Sequence, residues 1–170
     1  LRGDPASVSK REIVLAYPGL QAVSVFRIAN FLHQRGVPLI PRIMTEHIHS
    51  KTGIDIHPGV SIGKGLMIDH GTGIVIGETA VIKDQVRLYQ GVTLGALSPQ
   101  HSIANPNLKR HPTIENNVIV YSGATILGDV VVGEGSIVGG NVWLTHSIPT
   151  NSRVFLKDAD SVQEERVKAN

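Results

Sequence analysis

Residues 54–95 read IDIHPGVSIGKGLMIDHGTGIVIGETAVIKDQVRLYQGVTLG. Within this stretch Ile56, Ile62, Ile68, Ile74, Ala80, Val86 and Val92 are all apolar and fall six positions apart. A helix has 3.6 residues per turn and a strand a side-chain period of two, so neither returns the same side chain inward at every sixth residue. A short strand followed by a tight turn does. Three such units close one triangular coil of about 18 residues, and stacked coils bury an apolar column inside a prism.

The same rhythm returns after a break, at Ile114, Val120, Ile126, Val132, Val138 and Leu144, each followed four residues later by Val118, Ala124, Val130, Ser136, Val142 or Ile148. The two stretches together supply about four coils by this arithmetic. Between them, residues 96–112 lose the period, carry prolines and asparagines, and end in Lys109-Arg110-His111-Pro112. That composition marks a loop excursion from the coil, and loops on a rigid scaffold are where chemistry concentrates.

Residues 1–53 read differently. Pro18-Gly19 opens a stretch with Leu20, Val23, Phe26 and Phe31 at helical spacing and Gly36 as a stop; a second helix is predicted from Pro38 to Lys51, ending at Gly53. His33, His47 and His49 fall here and are read as surface or helix-packing residues, because none has a partner at ligand spacing. The expected organisation is a helical segment over 1–53, a β-helix over 54–149 with the 96–112 excursion, and a tail over 150–170.

Composition narrows the chemistry. The chain of 170 residues has 18 glycines and only 4% aromatics, which suits close turns and narrow repeating layers. With no cysteine, disulfides, thiolate metal sites and a cysteine nucleophile are excluded. A reducing compartment, the cytoplasm, is the expectation. A net charge of +2 gives no footprint for nucleic acid, and no apolar run or leader pattern suggests a membrane. The first residue is Leu1 rather than Met, as in a fragment or a processed chain.

Asp69 and His70 interrupt an otherwise apolar run directly after Ile68. The grid puts Ile68 inside, so the acid and the imidazole fall at a corner, projecting outward, with Gly71 and Gly73 leaving room for a molecule to approach the backbone. The apolar run is scaffold and the pair is what it carries.

These residues also carry a resemblance. DIHPGVSIGKGLMIDHGTGIVIGETAVI (55–82), QGVTLG (90–95) and KRHPTI (109–114) resemble the serine O-acetyltransferase family of hexapeptide-repeat acyltransferases, and the similarity reaches N-terminally through LQAVSVFRIANFL and Asp4-Pro5-Ala6. It implies a left-handed parallel β-helix, an exception to the usual right-handed crossover. It also implies acetyl transfer from acetyl-CoA, as cosubstrate and without a metal, to the hydroxyl of L-serine, giving O-acetyl-L-serine for cysteine biosynthesis. By the resemblance His70 is the catalytic base, and Asp55 is the acid that fixes its tautomer from an adjacent layer, 15 residues away. Arg110 takes the serine carboxylate, Asp4 and Asp69 approach the ammonium, and His111 helps bind the amino acid or the developing oxyanion. The CoA chain is expected along the coil wall near Gly95, Ala96, Ser122 and Gly123. A homotrimer, with a dimer of trimers as the larger option, and L-cysteine as a competitive inhibitor also follow from it. Ala96 stands where the family has a second glycine, and Tyr121 where it has a small residue. The tail lacks the C-terminal isoleucine that engages the sulfhydrylase in the family, which leaves a complex with that partner doubtful.

Three other functions fit a hexapeptide coil. A transferase acting on a sugar or another small hydroxyl acceptor would use the same base, but Arg110 with Asp4 and Asp69 suits a zwitterion. A zinc hydratase of the γ-carbonic anhydrase type needs two histidines five positions apart, and no two of the eight here are so spaced. A non-catalytic trimerisation module would have no use for an outward Asp-His pair.

Overall fold

The computed structural model describes residues 10–98 and 108–157. Three helices come first: α1 (Lys10–Ala16), α2 (Pro18–His33) and α3 (Ile40–Thr52). Short strands follow, β1 (Ile54–Ile56), β2 (Ser61–Ile62), β3 (Met67–Ile68), β4 (Ile74–Ile76), β5 (Val81–Ile82), β6 (Arg87–Leu88) and β7 (Thr93–Gly95), then β8 (Thr113–Ile114), β9 (Ile119–Val120), β10 (Thr125–Leu127), β11 (Val131–Val132), β12 (Ile137–Val138), β13 (Trp143–Leu144) and β14 (Arg153–Val154). Strands three apart stack on the same face in parallel register, and β14 then stacks on β12: β1-β4-β7-β10-β13, β2-β5-β8-β11 and β3-β6-β9-β12-β14. The chain is a left-handed parallel β-helix with helices at its N-terminal end.

The inward positions are the aliphatic grid. Ile74, Val86, Val92, Ile114, Val120, Ile126 and Val138 have no exposed surface, and Ser136, the polar member, is equally buried. Ser136 Oγ donates to Pro149 O at 3.0 Å and accepts from Ser152 N at 3.0 Å, which satisfies it inside the prism.

The register corrects the sequence reading in one respect. Ile54 pairs with Ile74 and Ile56 with Ile76, so the first coil is 20 residues long. The next uninterrupted coils repeat at 18, as in Thr113 with Val131 and Ile119 with Ile137, and the last shortens to 16, Ile137 with Arg153. The seven grid residues from Ile56 to Val92 therefore belong to two columns. Ile56, Ile62 and Ile68 continue as Ile76, Ile82, Leu88 and Leu94, whereas Ile74, Ala80, Val86 and Val92 continue Ile54 and Val60. The slip falls between Ile68 and Ile74, so the Asp69–Gly73 corner is two residues longer than its counterparts. The coil also runs past residue 149, since β14 pairs with β12; two faces therefore carry five strands, more than the expected four coils.

Two corners are built from left-handed backbone. Gly53, Gly73, Gly91, Gly123 and Asn141 form one column with φ between 58° and 80°, and Gly65, Gln85, Asn117, Gly135 and Asn151 form the other. Glycine and asparagine dominate because a Cβ opposes this conformation. Beyond the first coil, these residues hand their N–H to the coil before, as in Gly91 N to Thr72 O at 2.9 Å and Asn117 N to Asp84 O at 3.0 Å.

Helix α2 closes the N-terminal end. Its buried stripe is Gly19, Ala22, Phe26 and Ala29; of the stripe read from spacing, Phe26 is buried and Val23 packs against the core, while Leu20 and Phe31 are exposed. Small residues win because the helix backbone approaches the first coil closely: a Cβ on Gly19 would lie 2.7 Å from Ile68 O. First-coil carbonyls with no coil beneath them receive side chains instead. Arg27 donates to Ile62 O and Gly63 O, and Asn30 Nδ2 donates to Pro58 O at 2.8 Å and Val60 O at 3.0 Å. Gly53, at φ 69°, ends α3 and hands the chain to β1.

Replacing Ile126 by alanine should cost about 2–5 kcal/mol of stability in urea denaturation, because it opens a cavity in the sealed prism. The outward Val131→Ala on β11 should stay within about 0.5 kcal/mol of wild type.

Candidate active site

The long corner presents His70. Its backbone sits at φ 57°, and Gly71 beside it, at φ 92°, lies so near the core that a Cβ would meet Ile54 Cδ1 at 2.5 Å. A left-handed non-glycine residue costs on the order of 1–2 kcal/mol, and here the anchored flanks hold it. The His70 side chain is 74% exposed, with Nε2 3.7 Å from Asp69 Oδ1. Asp69 is the more sheltered of the two and its backbone N–H is bonded to Leu88 O at 3.0 Å.

Asp55 lies on β1, where its partner one coil on is Val75. It makes no hydrogen bond with His70 within the chain. With a first coil of 20 residues, a separation of 15 leaves Asp55 on the face beyond the corner. Its carboxylate instead gathers with Glu46 and His49 of α3, their ligand-type atoms all within 4.8 Å of one another, a set that could hold a metal ion. Glu46 is also engaged by Arg42. His49, read from sequence as lacking a partner, thus sits beside a candidate site acid.

The second half of the site is built where residues 109–112 return to the coil. Thr79 organises it: its Oγ1 accepts from Arg110 N at 2.9 Å and His111 N at 3.1 Å. Thr79 N donates to His111 Nδ1 at 3.1 Å, and the hydroxyl lies 2.9 Å from the same atom. The His111 ring packs flat against Gly77, where any Cβ would collide with it at 2.1 Å. Arg110 is ion-paired with Glu78, and Lys109 donates to His111 O and pairs with Asp129 at 3.2 Å. Glu78 and Thr79 were not singled out from sequence. The signal was their place in the Gly77-Glu78-Thr79 corner, but its pairing with 109–111 depends on the length of the excursion.

Electrostatics follow from this packing. Burial, with Arg110, Lys109 and His57 adding to it and Glu78 opposing, lowers the His111 pKa to about 4. The ring is therefore neutral near pH 7. Because Nδ1 accepts from Thr79 N–H, its proton is on Nε2. Burial alone would raise the Glu78 carboxyl, but the Arg110 hydrogen bond and the charges of His57, Arg110 and His33 outweigh it and hold the group below its ordinary value. His57 is lowered mainly by burial; its Nδ1 accepts from Gly59 N at 3.1 Å, and its ring stands edge-on to His33 at 6.1 Å. These two rings and Arg42 line a cavity of about 380 Å³ between α2, α3 and the first coil.

The remaining expected residues sit along the wall. Gly95 ends β7, with Leu127 so close that a Cβ would meet it at 2.8 Å, and Ala96 follows. Ser122 and Gly123 form the corner one coil on, where Ser122 O accepts from Asn141 N at 2.9 Å. Asp4 lies outside the described residues.

The unfolded His111 has its ordinary value of 6.5, so below that pH the unfolded chain takes up a proton that the folded chain refuses until about pH 4. Stability should be full above pH 6.5 and fall as the pH drops from 6.5 to about 4. Denaturation midpoints measured across this range should fall less steeply in His111→Asn than in wild type.

The chain also resembles known proteins. The family model for bacterial transferase hexapeptide (six repeats) matches residues 111–146. A plasmid-borne serine acetyltransferase of Synechococcus elongatus is 55% identical over 153 residues, 88% of this chain and 48% of the relative. The serine acetyltransferase of Helicobacter pylori is 42% identical over 166 residues, 98% of this chain and 94% of the relative. The crystal structure of serine acetyltransferase isoform 3 of Entamoeba histolytica, in complex with cysteine, superposes with a TM-score of 0.87 at 44% identity, covering 94% of this chain and 55% of that one. The chain thus spans about half the length of the cyanobacterial and amoebal proteins and nearly all of the Helicobacter one. On fold, sequence and length of match together, the chain belongs to the serine acetyltransferase family of hexapeptide-repeat transferases.

Proposed function

We propose that this protein transfers the acetyl group of acetyl-CoA to the hydroxyl of L-serine, giving O-acetyl-L-serine and CoA. The observation that carries this reading is the His70 imidazole held on an elongated left-handed corner, outward and beside Asp69, in a chain of this family. A serine hydroxyl, with a pKa far above 7, attacks a thioester poorly without a positioned base. His70 removes the proton as the oxygen adds to the thioester carbonyl. It then returns the proton to the departing CoA sulfur as the tetrahedral intermediate collapses. Asp55 stabilises the transient imidazolium from the adjoining face.

Arg110 takes the serine carboxylate, and its pair with Glu78 fixes the plane of the guanidinium. His111, neutral with its proton on Nε2, donates to the amino acid or to the oxyanion. Asp69 and Asp4 receive the ammonium. The donor lies along the wall at Gly95, Ala96, Ser122 and Gly123.

The His70 corner and the Arg110-His111 anchor stand at different corners of the prism. We place the complete site between two copies of the chain in a homotrimer, closed cyclic symmetry supplying three such sites. L-Cysteine keeps both charged ends of serine and exchanges oxygen for sulfur, so it competes for the same pocket.

His70→Ala should stay folded and lose roughly 10³-fold in turnover, measured by thiol release with L-serine and acetyl-CoA. More than a tenth of wild-type activity would overturn the assignment. Asp55→Asn should lose less. Mixed trimers of His70→Ala and Arg110→Ala chains should recover activity, and none would return if the site lay within one chain. Ethanolamine and 3-hydroxypropionate each strand one charged partner, costing about 2–4 kcal/mol, or roughly 30- to 1,000-fold in kcat/KM relative to serine. A sugar outperforming serine would sink the substrate class.

A further inference from the structure

The cavity of about 380 Å³ between α2, α3 and the first coil is lined in the manner of a small-molecule site, with mostly apolar wall and a few converging polar groups. Val37, Leu39 and three prolines supply the wall; His33, Arg42 and His57 supply the polar groups, and no acidic residue lines it. His57 Nδ1 accepts from Gly59 N at 3.1 Å, so the proton of its neutral ring is on Nε2. Among the described residues that Nε2–H has no hydrogen-bond partner, and the His33 ring makes no hydrogen bond, only its edge-on contact with His57. Arg42 lies near enough to His57 for its charge to help lower the His57 pKa. It is steadied by its ion pair with Glu46, which has a second partner in His49 at 3.4 Å. The rim is strained. Leu39 stands at φ 61° and ψ −50°, and Ile40 N donates to Pro38 O at 2.6 Å across it, which makes the rare γ-turn of positive φ. A branched side chain keeps such a backbone only where its surroundings impose it, and ligand clamps are a common setting.

We propose that this cavity binds a small organic acid with a branched apolar body, its carboxylate received by Arg42 and by the Nε2–H of His57. A planar guanidinium matches the two oxygens of a carboxylate, and a neutral imidazole whose Nδ1 is already engaged offers only a donor. The apolar wall selects an organic body, since an inorganic anion would leave that surface unused. Prolines on the wall have fixed φ, so little backbone is left to order on binding. The cavity adjoins the Arg110-His111 anchor without including it. A Cβ on Gly59 would lie 3.1 Å from Glu78 Cγ, 3.2 Å from His57 Nδ1 and 3.3 Å from His33 Nε2, so the three side chains meet over that glycine. The charge of Glu78 is met there by Arg110. The inference needs neither serine nor acetyl-CoA.

The test titrates the full chain, isotope-labelled on its histidine rings, with 3-methylbutanoate, its neutral isostere 3-methylbutanamide, and inorganic phosphate, following the ring signals by NMR. 3-Methylbutanoate should shift His33 and His57 saturably and leave His70 in place. The amide should bind roughly 10-fold more weakly or worse, because it brings no charge to Arg42, and phosphate should also bind more weakly than the acid. Arg42→Gln and His57→Gln should each weaken the acid by roughly 10-fold with the thermal midpoint kept, and Arg42→Lys should restore part of the loss. Arg110→Ala should bind the acid within about twofold of wild type, which separates this cavity from the proposed serine anchor. No saturable shift, equal binding of acid and amide, or phosphate binding more tightly than the acid would overturn the site. So would shifts centred on His111 that vanish in Arg110→Ala.

Discussion

Backbone hydrogen bonding from each coil to the next is the constraint on which this molecule depends. A coil buries its aliphatic column only while its N–H and C=O groups meet those of its neighbours, so one residue out of place would turn the column outward. The first coil has nothing beneath it. Helix α2 supplies that missing layer through Arg27 and Asn30, which bond carbonyls of the first coil, and through Phe26, which is buried against the apolar floor. The helices and the β-helix thus solve one problem jointly, that of where the ladder ends.

The two-residue slip at Asp69–Gly73 shows how chemistry enters such a lattice. Because Ile74 and Ile76 both face inward, the chain can shift phase by two residues there without exposing apolar surface. The extra length goes into a corner whose left-handed backbone pushes His70 outward. A wall of equal coils has no place for a projecting imidazole, whereas one lengthened corner makes room for it and leaves the layers above undisturbed.

Much of this was legible beforehand. The six-residue grid specifies the coil because isoleucine and valine at those positions have no other means of common burial, and Asp69-His70 stands out because it breaks the run. The phase slip was hidden for the reason that makes it possible: both columns are apolar, so the grid stays filled whichever column is followed. The buried face of α2 was read only through Phe26 and Val23, because Gly19, Ala22 and Ala29 are chosen for close approach rather than hydropathy. Glu78 and Thr79 were invisible as partners of Arg110 and His111 because the offset across the excursion, Val81 to Thr113, is 32 positions, which no repeat arithmetic supplies.

The anchoring of residues 109–111 by Thr79 and Gly77 also separates two properties that are usually tied together, the length of an excursion and the position of the side chains at its end. Thr93 pairs with Thr125 across the excursion as regularly as Val75 pairs with Thr93 without one. Arg110 and His111 take their places from the corner they land on. Lengthening the intervening segment then costs only chain closure, about 0.6 kcal/mol for each doubling. The scaffold can therefore accept loops of many lengths and compositions while the two residues at the landing point keep their posts.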